Sequence, residues 1–239
     1  MMLEYRDDNL FKGNRIYAQT AHDALQGDFY VSVTSALDVF VDYAHKQFLL
    51  QSTPDTYGAI MKRTADMGTL LHGMFEAHLL GKPVDITQET EKPFQNFLEL
   101  AEKHKLRASG TEMQVVSKTY GYCGTLDFFG LMDGELTIID FKSGNSKISH
   151  GWQCGAYLYA YNEMTGNSVN KMAVVQVHRN GRDKKVLKYV HNDSCFEAFL
   201  SCLNVFRMGY FNELKKLQWK YLLQNPLQTY YKQLYKGEI

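Results

Sequence analysis

Apolar residues along the chain recur at two periods, and the change from one to the other divides it into helical and extended parts. Residues 31–36, Val-Ser-Val-Thr-Ser-Ala, read as a short extended lead-in whose Thr34 or Ser35 could cap a following helix. Leu37, Phe40, Val41, Ala44 and Phe48 then follow the spacing of three and four that marks one helix face. A second helix is expected over about 63–80, carried by Leu70, Leu71, Met74, Phe75 and Leu79 and stopped by Gly81-Lys82-Pro83. A third, about 87–105, follows Phe94, Phe97, Leu98 and Ala101.

From about residue 111 the period shortens to that of strands. Met113–Val116 leads to a turn at Tyr120-Gly121, and two further runs are separated by Asp133-Gly134, a strong hairpin signal. A helix over about 149–164, strands at 171–178 and 184–190, and a helical tail from about 192 to 235 complete the pass. Helices, a three-strand meander, a crossover helix and a further strand make an α/β layer architecture.

Composition narrows the class. The 239 residues suit one large domain, expected as a core over about 31–190 with a C-terminal helical extension over about 191–239. There is no run of eighteen apolar residues, and Met1–Asp8 lacks the basic-then-apolar order of a secretory signal, so an intracellular, cytoplasmic protein is expected. Cys123, Cys154, Cys195 and Cys202 show no Cys-x-x-Cys spacing and are read as reduced and structural. The net charge of zero conceals an asymmetry: residues 1–140 carry 12 Lys/Arg against 20 Asp/Glu, whereas 141–239 carry 14 against 6. Either the halves neutralise each other on folding, or the basic one meets an anionic partner.

The hairpin carries the candidate chemistry. Counting back from Asp133-Gly134 sets Asp127 directly opposite Asp140, with Cβ atoms about 4.5–5.5 Å apart. Phe128, Phe129, Ile138 and Ile139 beside them are apolar on both faces, as in a central strand. Two like charges there need a divalent cation between them, or one must stay protonated, or one caps a turn at the rim. Lys142 falls on the same face as Asp140, either as a partner in phosphodiester hydrolysis or as a simple ion pair.

Gly124-Thr125-Leu126-Asp127, followed by Ile138-Ile139-Asp140-Phe141-Lys142-Ser143-Gly144, resembles the core signature of the PD-(D/E)XK nucleases, and most of all their RecB-type branch. Gly68-Thr69-Leu70-Leu71-His72 with Glu76, Gln153-Cys154-Gly155-Ala156-Tyr157 and Ser32-Val33-Thr34-Ser35 are similar to further motifs of that branch. The resemblance implies a restriction-endonuclease-like core, a central mixed β-sheet flanked by helices with extra N- and C-terminal helices. It implies one or two Mg²⁺ or Mn²⁺ ions held by His72, Asp127, Asp140 and the Phe141 carbonyl. Lys142 would be the catalytic lysine beside Asp127 and Asp140, and Glu112 a contributor to a second ion position. Gln153 and Tyr157 would touch the nucleic-acid strand, although Tyr157 could equally pack with Tyr161, and His72 alone would pass for an ordinary helix histidine. No cysteine precedes residue 123, so the iron–sulfur cluster of some branch members is not expected.

The activity implied is a metal-dependent exonuclease on DNA ends or single strands, in recombination, repair or replication, of the kind phages carry. A restriction-type endonuclease and a DNA-binding protein with a vestigial site are the alternatives. A recombination partner protein or a homo-oligomer is compatible with either. Lys142, Lys147, Lys171, Arg179, Arg182, Lys184, Lys185 and Lys188 could grip phosphates. In the tail, Lys215, Lys216, Lys220, Lys232 and Lys236 lie among Tyr221, Tyr230, Tyr231 and Tyr235, which suits either base stacking or an amphipathic helix with its aromatics inward.

Overall fold

Adjacent residues on the central strands serve opposite cores, and this decides the architecture. Ile138 and Val174 pack on one side of the sheet, Ile139 and Val175 on the other. Both faces must therefore be covered by helices. The structure is a computed structural model that describes residues 3–5, 14–18, 29–41, 43–190 and 193–216.

Eight strands form one mixed sheet: β1 (Leu3–Tyr5), β2 (Ile16–Ala18), β3 (Tyr30–Ser32), β4 (Arg107–Ser117), β5 (Tyr122–Met132), β6 (Glu135–Lys142), β7 (Lys171–Val177) and β8 (Lys184–Val190). Their order is β1-β2-β3-β5-β6-β7-β8, with β4 also paired to β5. The β3–β5 and β6–β7 pairs are parallel, the others antiparallel. The helices are α1 (Val33–Leu37), α2 (Tyr43–Gln51), α3 (Pro54–Leu79), α4 (Glu91–Lys103), α5 (Ile148–Thr165) and α6 (Asp193–Gly209). α5 supplies the crossover that the parallel β6–β7 pair requires. With α6 and α1 it covers one face, through Cys154, Ala156, Leu158, Phe199 and Phe206. α3 and α4 cover the other, where Phe75 stacks on Phe97 at 4.1 Å and Phe128, Phe141 and Val175 close the layer.

The α/β class, the meander and the crossover match the sequence reading, and Asp133 (φ 54°) and Gly134 (φ 86°) form the left-handed two-residue turn it called for. Several boundaries do not match. The single helix expected through Leu37–Phe48 is two, because Asp38 bonds back to Thr34 and Ser35 and closes α1. Phe40, in the break, packs on Trp152 of α5 at 4.7 Å. Neither Thr34 nor Ser35 caps a helix: α1 starts after Ser32, and both hydroxyls are taken by Arg15, whose guanidinium reaches Thr34 Oγ1 (2.7 Å) and whose N–H reaches Ser35 Oγ (2.8 Å). α3 begins nine residues before the expected 63, at Pro54, where Thr53 accepts the Thr56 N–H and proline occupies the first turn. Its first half is largely exposed and shows no apolar stripe. α4 is shorter than expected because Thr87 and Thr90 bond to each other ahead of it. β4 starts at Arg107, before the expected 111, and β1 and β2 are three-residue strands without a sequence signal. Lys220, Tyr221, Tyr230, Tyr231, Lys232, Tyr235 and Lys236 lie outside the described residues.

All four cysteines are buried and unbridged. Among the described residues no helix is long and apolar enough to cross a membrane.

Candidate active site

The site lies where the sheet forks. One edge of β5 is paired with β4 along its length. The other edge pairs with β3 at Tyr122 and Cys123 and with β6 from Phe128 to Met132. Between them, Gly124–Asp127 face a gap. The hairpin register is the one counted from Asp133-Gly134, but the direct Asp127–Asp140 pairing expected from it is not formed: the ladder ends one step earlier, at Phe128–Ile139. Asp127 uses its side chain instead, with Oδ2 accepting the Phe141 N–H at 2.7 Å. The carboxylate thus replaces a main-chain acceptor where the strands part.

α5 seals the back of the gap. A Cβ at Gly124 would sit 2.6 Å from the Tyr157 ring, so only glycine allows this approach. Gln153 Nε2 donates to Tyr157 Oη at 3.0 Å, and both buried side chains line the cavity. Tyr157 belongs to the core and also lines the cavity.

Glu112 lies opposite Asp127 on β4, between the pairs Thr111–Phe128 and Met113–Leu126, and adopts a left-handed backbone (φ 48°). Such a conformation costs a non-glycine residue about 1–2 kcal/mol. Burial, helped by Asp127 and Glu76, raises its pKa. Glu76, one turn beyond His72 on α3, accepts from Thr111 Oγ1 at 2.8 Å.

His72 Nδ1 is 3.6 Å from Asp127 Oδ2. Burial and then Lys142 pull its pKa to about 4, so its imidazole is neutral at physiological pH. Asp140 is 1% exposed, and its Oδ2 is 2.5 Å from Lys142 Nζ. Beyond this ion pair, neither carboxylate oxygen has a hydrogen-bond partner among the described residues. Burial pushes the Asp140 pKa up to about 6; Lys142 opposes the rise and Asp127 adds to it. Burial likewise raises Asp127 against the pull of Lys142 and the Phe141 N–H. For Lys142, Asp140 and Asp127 more than offset burial and hold the ammonium above its usual value.

These residues line one cavity of about 610 Å³. His72, Glu112, Asp127, Asp140, Lys142, Gln153 and Tyr157 are all brought to it; Phe141 contributes its backbone beside Asp127 and packs its ring into the α3–α4 layer. Sequence reasoning missed Arg15, which faces the cavity with its guanidinium held by Thr34, because no motif or periodicity marks it. It also missed Gln176, which sits beside Lys142 in the β6–β7 register, with its buried Oε1 unpartnered.

The donor set fits a divalent cation. Asp140 offers buried oxygens partnered only by Lys142 among the described residues, Asp127 a second carboxylate and His72 a neutral nitrogen, and a cation would relieve the burial of both acids. Among the described residues no three such side chains already converge as a ligand cluster, so an ion would have to draw them together. The set can therefore gather cations and, through Lys142 and Arg15, face a phosphate.

The sequence model of the PD-(D/E)XK nuclease superfamily matches residues 85–212. No curated protein matches the chain in sequence. Among solved structures, a candidate exonuclease from Eubacterium rectale aligns at 9% identity and TM-score 0.46, over 84% of this chain and 86% of its own. An alkaline exonuclease from Laribacter hongkongensis aligns at 12% identity and TM-score 0.39, over 84% and 96%. The latter enzyme's complex with dAMP aligns at 12% identity and TM-score 0.36, over 82% and 94%.

Proposed function

The chain belongs to the PD-(D/E)XK nuclease superfamily, and from that premise we propose that it is a divalent-metal-dependent DNA exonuclease, hydrolysing phosphodiester bonds at DNA ends or on single strands in recombination, repair or replication. The observation that carries this reading is Asp140: a buried carboxylate partnered by Lys142 and by no other hydrogen bond among the described residues, facing a cavity shared with His72, Glu112 and Asp127.

Nucleases of this superfamily generally use divalent metal ions. Here His72, Asp127, Asp140 and the Phe141 carbonyl would hold Mg²⁺ or Mn²⁺, with Glu112 at a second position. The ion would supply Lewis acidity toward the phosphoryl oxygens. Lys142, released from Asp140, turns its ammonium toward the phosphate, orients the attacking water and offsets the charge that builds on the phosphoryl oxygens. His72, neutral, keeps a lone pair for coordination. Gln153 and Tyr157 position the strand against the back of the cavity. A cavity of about 610 Å³ has room for a nucleotide or two of one strand.

The test is digestion of end-labelled linear DNA and closed-circular DNA with Mg²⁺ or Mn²⁺, alongside an RNA of the same sequence. Progressive loss of terminal nucleotides from DNA, with circles intact, is expected. Cuts at fixed positions in the circle would make it an endonuclease, and binding without turnover under every metal would remove the catalytic reading.

A further inference from the structure

The basic second half of the chain holds two kinds of cation. Lys171 pairs with Glu135 at 3.6 Å, Lys184 pairs with Glu99, and Lys188 pairs with Asp133 at 2.5 Å. These three lysines of β7 and β8 are neutralised within the fold. Arg179 and Arg182, on the turn between the same strands, are not: among the described residues neither has a carboxylate within ion-pair reach, the intervening Asp183 included.

The turn is fastened to the loop that leaves the candidate catalytic strand. Arg179 donates its backbone N–H to the Ser143 carbonyl at 2.8 Å, and Arg182 Nη2 donates to Asn145 Oδ1 at 2.7 Å. The Arg179 guanidinium makes no hydrogen bond within the described residues and lies 4.0 Å from the position a Cβ would take on Gly144. Nothing else approaches that position within 4 Å, so Gly144 leaves open surface between Lys142 and the arginine. His178, beneath the turn, reports the local field. Its pKa is lowered first by burial, and both arginines push the same way against the opposing contact with Asn180. β6 and β7 are parallel and both end here, and ligands of α/β sheets bind beyond such carboxyl ends.

Resting on the nuclease reading above, we infer that Arg179 and Arg182 form a phosphate subsite, gripping the backbone phosphate next to the scissile one as the strand crosses Gly144. The subsite reads charge and no base, so it contributes affinity without sequence preference.

Binding of a labelled single-stranded oligonucleotide, measured by fluorescence anisotropy in EDTA between about 50 and 200 mM salt, tests this. The double variant R179Q/R182Q is expected to reduce the slope of log K against log salt by about 0.7, the value for one phosphate on a single strand, and to weaken low-salt binding about tenfold, equally on different sequences. With Mg²⁺ or Mn²⁺ present its cleavage should suffer in KM rather than kcat. K184Q/K188Q removes cations that already have partners and should leave the slope unchanged. If the double variant fails to fold, R179Q alone, whose side chain bonds to no described residue, should lower the slope in the same direction by part of about 0.7. A folded arginine variant with the parental slope, or an equal loss in the lysine pair, overturns the subsite. A parent protein that neither binds nor cleaves any oligonucleotide would instead remove the nuclease reading on which it rests.

Discussion

The two ends of the β5–β6 hairpin treat an aspartate in opposite ways. At the turn end the ladder is complete, and Asp133, well exposed, is bound by Lys188 at 2.5 Å and His104 at 3.0 Å, which lower its pKa. At the far end the ladder has opened, and Asp140 is buried beside Lys142, where burial outweighs that ion pair and raises its pKa to about 6. Where pairing is finished, charge is satisfied within the chain. Where pairing stops, two buried carboxylates, Asp127 and Asp140, share the one ammonium of Lys142, and the excess negative charge is what a cation can use.

Substituting one acid at each end gives the largest contrast. Asp140→Ala should lower DNA cleavage by about 10³-fold or more while the circular dichroism spectrum is kept, whereas Asp133→Ala should stay within about twofold of the parent. Equal activity of the two variants would erase the distinction.

Glycines on the same strand probe the packing behind each end. A Cβ on Gly130 would meet the Arg107 carbonyl oxygen at 2.1 Å and the Ser109 nitrogen at 2.9 Å, both rigid backbone. Gly130→Ala should therefore cost about 3 kcal/mol in urea unfolding. Gly124→Ala meets the Tyr157 ring and should cost less, about 1–2 kcal/mol, but it displaces Tyr157 and so reduces turnover as well.

Next is the pH dependence without metal. The fold raises the Asp140 pKa from 3.8 to about 6, so it favours the protonated acid: stability is highest below about pH 4 and declines as pH rises to about 6, by roughly 3 kcal/mol. Asp133 acts with the opposite sign, its stabilisation present above its ordinary value and lost as pH falls through the lowered one. Urea unfolding in EDTA should show the Asp140 decline in the parent and not in Asp140→Asn. At pH 7, Mn²⁺ at a hundred times its Kd should restore about 2.7 kcal/mol in the parent alone. The smallest effect belongs to Asp133→Asn, below about 1 kcal/mol, because asparagine keeps the left-handed turn and only exposed ion pairs are lost.

How much of this could be read from the sequence follows the range of the forces. The Asp133-Gly134 turn, the β5–β6 register, the His72 stripe on α3 and the α5 face bearing Gln153 and Tyr157 depend on neighbours within a few residues, and their patterns are local. The end of the ladder at Phe128–Ile139 is not local, since it depends on β6 parting from β5 to complete its pairing with β7. Arg15 is invisible for the same reason: it is brought to Thr34 and Ser35 only by the pairing of β2 with β3. The left-handed backbone of Glu112 defies local preference altogether. Nor could charge counting separate Lys184 and Lys188 from Arg179 and Arg182, because their partners, Glu99 and Asp133, arrive only with the fold.

The amide of Phe141 is tied to the Asp127 side chain rather than to another backbone carbonyl. Its proton exchange with heavy water is thus governed by one carboxylate and not by the sheet as a whole. Protonating that acid, or turning it toward another ligand, would alter the nuclear resonance of a single peptide group and leave those of Phe128–Met132 as they were, giving the molecule a built-in reporter.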